Sequence, residues 1–293
     1  MSWGPLQPAR IDFSDALAPS APDFGDVYHA RSGALGQARH VFLGGNGLPG
    51  RWAGRARFVV LETGFGLGNN FLATWDAWQQ DARRCDRLWY VAIEKHPPRQ
   101  ADLARAHAGS ALPALSAALL RQWPSLTPDI HLVDFDGGRV RLLLALGDIA
   151  HVLPELIASV DAFYLDGFSP DRNPAMWDAW RLRQLPRLAA PGATVATWSV
   201  AAALRQGLSA AGFTVHKAAG YSGKREMTVG TFEPRFRPPP PPGRLPQGGV
   251  QTVAVVGAGL AGASVADALA RRGLAVGVRP PGRPGRRDIG QRR

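Results

Sequence analysis

Cysteine is almost missing from this sequence. The single thiol, Cys85, excludes a disulfide framework and any cysteine-built zinc site. The seven histidines show no metal-ligand spacing, so no metal is expected. No stretch reaches the ~18 uninterrupted apolar residues that a spanning helix needs. The first 25 residues lack a charged start followed by an apolar run. Neither a membrane span nor a secretory leader is therefore expected, and the cytoplasm is the default compartment. Lysine is scarce too, with only Lys95, Lys217 and Lys224 against 31 arginines. With 34 glycines and 25 prolines, this skew fits nucleotide-composition bias as readily as an adaptation to a ligand. What is present suits a folded protein. The 293 residues are 45% hydrophobic and 19% charged, which excludes intrinsic disorder of the whole chain. At ~150 residues per domain, the length suggests two domains. The net charge of +11 favours a polyanionic partner such as nucleic acid without proving one.

Five zones follow one another. Residues 1–57 form an extension rich in Gly, Pro and Arg, with the apolar word Val41-Phe42-Leu43. Residues 58–233 alternate strand-like and helix-like words. Residues 234–249 read as a Pro/Gly linker with a stiff extended centre. Residues 250–278 open a second strand–helix unit, and 279–293, with six Arg and one Asp, lack apolar periodicity and should be disordered. In the long zone, Arg57–Glu62, Trp89–Glu94, Ala162–Asp166 and Thr194–Trp198 read as strands. Asn69–Gln80, with Phe71, Leu72, Trp75 and Trp78 at helical spacing, reads as a helix. Leu112, Leu115, Leu119 and Trp123 mark another helix face, Pro174–Leu188 a third and Ala201–Ala211 a fourth. Ile130–Phe135 and Val140–Leu146 suggest a hairpin about Asp136-Gly137-Gly138. Val215–Ala218 and Met227–Phe232 suggest an antiparallel pair. Alternating β and α words imply an α/β fold with a mostly parallel sheet covered on both faces. Ligands of such sheets bind beyond the carboxyl ends of the strands.

The chemistry-bearing residues fall at those ends. Glu62-Thr63-Gly64-Phe65-Gly66-Leu67-Gly68 lies between a strand and a helix. An acid, a spacer and G-x-G-x-G is the usual first motif of methyltransferases that use S-adenosylmethionine. The glycines let the backbone turn tightly and approach a ligand, and the helix start offers free N–H groups. Glu94, ending the next strand, could accept ribose hydroxyls, and Asp148, in Gly147-Asp148-Ile149, an adenine amino group. A Rossmann nucleotide site of another kind is the alternative. Asp166, in Leu165-Asp166-Gly167-Phe168-Ser169-Pro170, ends a further strand on the same edge. A carboxylate there can hydrogen-bond an acceptor amine and draw off its proton. The plain alternative is a turn or helix-capping aspartate. The tryptophans, Trp75, Trp78 and Trp177 among them, read mainly as core.

The words LETGFGLGNNFLATWDAW, YVAIEKHP, GDI, FYLDGFSPDRNPAMW and KREM resemble the methyltransferase domain of the MnmC family, bacterial enzymes that finish 5-methylaminomethyl-2-thiouridine at the tRNA wobble position. DVYHA and GQARHVFLGGN fit its amino-terminal segment more loosely, and the likeness covers roughly residues 10–233. The resemblance implies a class I, Rossmann-like methyltransferase sheet of seven strands. It implies N-methylation of 5-aminomethyl-2-thiouridine, with the tRNA anticodon region as partner. Glu62, Gly64, Gly66, Gly68 and Asn69 would frame the methionine part of the cofactor. Glu94 would hold the ribose and Asp148 the adenine, with Phe65, Lys95 and Ile149 also cofactor-binding. Asp166 would orient the amine, with Tyr28, Phe168 and Pro170 on the substrate side. Arg172, Lys224 and Arg225 are candidates for phosphate contacts, or for an ordinary solvated face. Tyr28-His29-Ala30, Gln37-Ala38 and Gly220-Tyr221-Ser222-Gly223 depart from the family's pattern.

Beyond the linker, Val253–Val256 leads into Gly257-Ala258-Gly259-Leu260-Ala261-Gly262, a G-x-G-x-x-G dinucleotide fingerprint in its strand–helix setting. It resembles the opening of the same family's FAD-dependent oxidase domain. Arg279 stands where a ribose-binding acid should follow the next strand. The text after it is too rich in Pro, Gly and Arg to build a core. The expectation is a truncated domain without a working FAD site. The competing readings are an FAD- or NAD-dependent oxidoreductase and a non-catalytic RNA-binding remnant.

Overall fold

The computed structural model describes residues 6–15, 17–235, 239 and 252–279. They fall into two compact units, one within residues 1–244 and one within 245–293. Most of the expected 234–249 linker and the basic tail after Arg279 lie outside the described residues.

The first unit is built on one large sheet, with a two-residue antiparallel pairing of Ser20–Ala21 and Asp26–Val27 besides. Its strands are β1 (Arg57–Glu62), β2 (Arg87–Glu94), β3 (Asp129–Phe135), β4 (Val140–Leu146), β5 (Val160–Tyr164), β6 (Ala189–Thr197), β7 (Phe213–Ala219) and β8 (Glu226–Phe232). They lie in the order β3-β4-β2-β1-β5-β6-β8-β7. The five neighbours β4, β2, β1, β5 and β6 run parallel, while β8 and β3 are antiparallel to their neighbours. The sheet is mostly parallel, but it has eight strands, one more than the seven expected. The extra strand is β3, folded onto β4 through the Asp136-Gly137-Gly138 turn, where Gly137 and Gly138 take positive φ of 65° and 81°.

Both faces are covered, so the central strands read as continuous apolar runs. Phe58 and Val60 join one core with Phe71, Trp75 and Tyr90, while Val59 and Leu61 join the other with Phe163, Leu182 and Leu204. The amino-terminal extension contributes Phe42 and Trp52 to the first of these cores, both fully buried. Helix α1 (Asn69–Gln80) follows β1, and α2 (Pro113–Arg121) carries Leu115 and Leu119 inward. The helix expected over Pro174–Leu188 is instead three short pieces, Pro174–Met176, Ala179–Leu182 and Leu185–Leu188. Asp178 caps a new start by accepting from Arg181 N. Pro186 has no N–H with which to continue the preceding turn.

The second unit is a single β–α–β turn, with β9 (Thr252–Val256) parallel to β10 (Ala275–Arg279) and the helix Leu260–Arg271 between them. None of its described residues is buried.

Candidate active site

Parallel strands place their carboxyl ends on one edge, so Glu62, Glu94, Asp148 and Asp166 are delivered together by β1, β2, β4 and β5. Beyond that edge lies a cavity of about 700 Å³. Gly64, Phe65, Gly66 and Asn69 line it beside Glu94, Lys95, Asp148, Ile149 and Asp166. Tyr28, Phe168 and Lys224 line it as well. Glu62 and Gly68 do not reach its surface, because Glu62 is fully buried and Gly68 forms the turn into α1.

The glycine loop is required by its geometry. Gly66 and Gly68 take positive φ of 52° and 76°. A Cβ on Gly64 would stand 3.0 Å from the Asp166 carbonyl oxygen, and one on Gly68 would stand 2.8 Å from the Phe65 ring. Glu94 fixes the loop, since Gly66 N donates to Oε2 at 2.8 Å and His96 N to Oε1 at 2.7 Å. Burial pushes the Glu94 carboxyl upward while these N–H groups pull it back. From behind, His107 Nε2 donates to Leu67 O at 2.8 Å.

Asp148 serves two structural ends. Its Oδ1 accepts Ala150 N at 2.8 Å as the cap of the Ile149–Glu155 helix, and its Oδ2 pairs with Lys95 Nζ at 2.9 Å. Burial alone would raise its carboxyl, but the Ala150 N–H and Lys95 outweigh that and hold it below the usual range.

Asp166 is neither a cap nor a bare turn residue. Oδ1 accepts Gly167 N at 2.8 Å and Trp198 Nε1 at 3.2 Å, and Oδ2 accepts Asn70 Nδ2 at 2.7 Å. Burial still pushes its carboxyl up to about 6. Asn70 Nδ2 also donates to Glu62 Oε1 at 2.6 Å, and Tyr90 OH donates to Glu62 Oε2 at 2.9 Å. Glu62 lies well above an ordinary carboxyl through burial and the nearby Asp166. Lys224 Nζ stands 3.5 Å over the Trp198 ring. Burial draws its ammonium below the usual range, opposed by Asp26 and Asp166.

On the opposite wall, Phe168 stacks on Phe24 at 4.5 Å and meets Tyr28 edge-on at 5.4 Å. Pro170, Arg172 and Arg225 do not line the cavity. Asp26 Oδ2 takes Ser169 N at 2.8 Å, and the chain turns away there. The pocket-shaping role expected of Pro170 is therefore corrected, and Phe24 and Tyr28 supply that wall with Phe168. Sequence reasoning also missed Asn70, Trp198 and Asp26. Only Asn70 left a local signal, standing one position after Asn69 in the first turn of α1. In the second unit, Gly257 takes φ of 107° and a Cβ on Gly262 would collide with the Gly257 carbonyl oxygen, as a tight glycine loop requires. Gly259 stands before the helix, and the arginine at the end of β10 offers no carboxylate.

Among the described residues, no cluster suits a metal ion and no helix is long and apolar enough to cross a membrane.

Residues 111–233 match a family model described as S-adenosyl-L-methionine-dependent methyltransferase. The chain is 60% identical over 275 residues to the "tRNA 5-methylaminomethyl-2-thiouridine biosynthesis bifunctional protein MnmC" of Methylibium petroleiphilum, covering 93% of this chain and 42% of that protein. It is 51% identical over 276 residues to the protein of the same name from Cupriavidus necator, covering 92% of this chain and 42% of the relative. The chain thus spans well under half the length of these relatives. The crystal structure of MNMC2 from Aquifex aeolicus superposes with a TM-score of 0.60 at 21% identity, over 75% of this chain and 68% of that one. That likeness supports the class I, Rossmann-like α/β fold.

Proposed function

Because the chain matches MnmC-family tRNA-modification proteins at high homology over their methyltransferase portion, we propose that its first unit transfers a methyl group from S-adenosylmethionine to the primary amine of 5-aminomethyl-2-thiouridine at the tRNA wobble position. The observation that carries this reading is that Asp166, a carboxylate with three donors, lines the same cavity as the glycine loop.

The residues present fit the cofactor. The Gly64–Gly66 backbone forms a cradle that side chains would fill, since a Cβ on Gly66 would stand 3.3 Å from Tyr28 and one on Gly64 would crowd Asp166. Gly64, Phe65, Gly66 and Asn69 would frame the methionine part, with Gly68 turning that loop into α1 and buried Glu62 anchoring Asn70 behind it; Glu94 and Lys95 would hold the ribose, and Asp148 and Ile149 the adenine. When bound, S-adenosylmethionine supplies a methyl group on a sulfonium, whose C–S bond breaks as the amine nitrogen forms its new N–C bond.

The chain's own residues handle the amine. An alkylammonium has no lone pair, so one proton must leave before the nitrogen can react. Asp166, ionised above about pH 6, accepts that proton and later returns it to solvent. The product leaves as a secondary ammonium, so charges and atoms balance. Holding donor and acceptor in line supplies most of the acceleration. Phe168, Phe24 and Tyr28 offer apolar and aromatic surface to the base. Arg172 and Arg225, both exposed, and Lys224 at the cavity are offered to backbone phosphates of the anticodon region. No step is routed through a flavin. The second unit has the glycine turn, but its β10 ends in Arg279, whose positive charge cannot accept ribose hydroxyl hydrogen bonds.

The test is methyl transfer to hypomodified tRNA, read by mass spectrometry of the wobble nucleoside. A gain of one methyl group on the 5-aminomethyl nucleoside is expected. Unchanged nucleoside in the presence of cofactor contradicts the reading.

A further inference from the structure

Asn70 takes part in two of the shortest polar contacts of the cavity floor, and neither the glycine motif nor the acids explain its presence. Its one amide nitrogen reaches Glu62 Oε1 at 2.6 Å and Asp166 Oδ2 at 2.7 Å. The residue is 7% exposed. A primary amide nitrogen carries two hydrogens, so each carboxylate receives one. The nitrogen faces both acids, and an amide oxygen in its place would be repelled by the Asp166 carboxylate. Among neutral side chains, only Asn and Gln offer such a double donor.

The second half of the argument counts acceptor sites. A carboxylate offers about four. On Asp166, Gly167 and Trp198 take Oδ1, and Asn70 takes one side of Oδ2. Among the described residues no donor takes the other side of Oδ2, and Asp166 lines the cavity. We infer that Asn70 is a positioning residue, spanning Glu62 and Asp166 so that the remaining acceptor site of Asp166 Oδ2 meets the substrate amine. Asn70 sits in the first turn of α1, directly after the glycine loop. One rigid element therefore sets the cofactor cradle and the acceptor for the amine together. This inference rests on the methyltransferase reading above and deepens it.

The electrostatic surroundings give a readout that simple loosening of the fold would not. Asp166 faces Glu62 across the amide, with the Tyr90 phenol behind Glu62, the Tyr164 phenol in β5 below, and Lys224 opposite with Asp26 near it. Removing a hydrogen bond to the charged form raises a carboxyl's affinity for its proton.

The experiment compares wild type with Asn70→Ala and Asn70→Ser. S-adenosylmethionine affinity is measured by calorimetry, and kcat, KM and the pH profile by methyl transfer to hypomodified tRNA. For Asn70→Ala the expected result is a kcat lower by about 10- to 100-fold, the cost of one buried charge-assisted hydrogen bond. The KM for tRNA should be nearly unchanged, and the acid limb should move up by about one pH unit. Asn70→Ser keeps a single donor and should fall between. If Asn70→Ala does not fold, Asn70→Ser is judged by the same shift of the acid limb. An acid limb at the wild-type position in a folded, cofactor-binding variant overturns the inference while leaving the methyltransferase reading intact. A wild-type chain that binds no S-adenosylmethionine and transfers no methyl group overturns both.

Discussion

Two segments of this chain start alike and end differently. After β1 comes G-x-G-x-G and then α1; after β9 comes G-x-G-x-x-G and then the helix Leu260–Arg271. Both loops use glycines at positive φ, Gly66 and Gly68 in one and Gly257 in the other. Yet β1 sits in the middle of eight strands with its last five residues buried, while β9, among the described residues, has a single neighbour and no buried residue. Around the first loop, neighbouring strands deliver Glu94 and Asp166. In the second unit, the neighbouring strand delivers Arg279. A glycine loop supplies only a backbone shape. Adjacent strand ends supply the acids, and a covered sheet supplies the low dielectric in which those acids act.

The hardest blow to the first region should come from Asp166→Ala. Methyl transfer is expected to fall about 10²- to 10⁴-fold, the range for loss of an acid–base group. Calorimetric affinity for S-adenosylmethionine should stay within a few fold. Near-normal turnover would remove Asp166 from the chemistry.

Gly68→Val and Gly257→Val set the two loops against each other. Gly68→Val forces a β-branched residue to φ of 76° and against the Phe65 ring. It should cost about 1–3 kcal/mol of stability and abolish cofactor binding. Gly257→Val is strained by its φ of 107° alone, since a Cβ there meets nothing within 4 Å, and should leave methyl transfer unchanged. Equal loss in both would erase the contrast drawn above.

Much of the first region was legible beforehand, for a physical reason. Strand runs such as Phe58–Leu61 and the helical spacing of Phe71, Trp75 and Trp78 are local patterns, and so are acids placed just after strand words. Trp198, Phe24 and Asp26 were not legible, because each becomes part of the site only through distant partners, and Asn70, with a local partner in Glu62, gains its role only from Asp166, 96 positions on. Trp198 reaches Asp166 across 32 positions, and Asp26 reaches Ser169 across 143. The break in the 174–188 helix depends on Asp178 acting as a cap, a local competition that apolar spacing does not report. The eighth strand was visible as half of a hairpin, but its addition to the sheet edge rests on its register with β4.

A smaller effect concerns pH. The Asp166 carboxyl is raised to about 6 in the fold. Protonation therefore favours the folded state, and that contribution is lost as pH rises from the unfolded value near 4 through about 6. Asp166→Asn removes the buried charge and should raise Tm by about 2–4 °C at pH 8. The gain should shrink toward pH 4. A gain independent of pH would contradict the burial argument.

The smallest effect belongs to Lys95→Ala. The Lys95–Asp148 pair is partly exposed, so its loss should cost at most about 1 kcal/mol. It should weaken S-adenosylmethionine binding only a few fold, measured by calorimetry. A loss as large as that of Gly68→Val would mean that the lysine itself grips the cofactor.

The most direct measurement is titration of the intact chain with S-adenosylmethionine by calorimetry, in parallel with Gly68→Val and Gly257→Val. The account predicts one cofactor bound per chain by wild type and by Gly257→Val, and none by Gly68→Val. No binding to wild type, or binding that Gly257→Val abolishes, would contradict it.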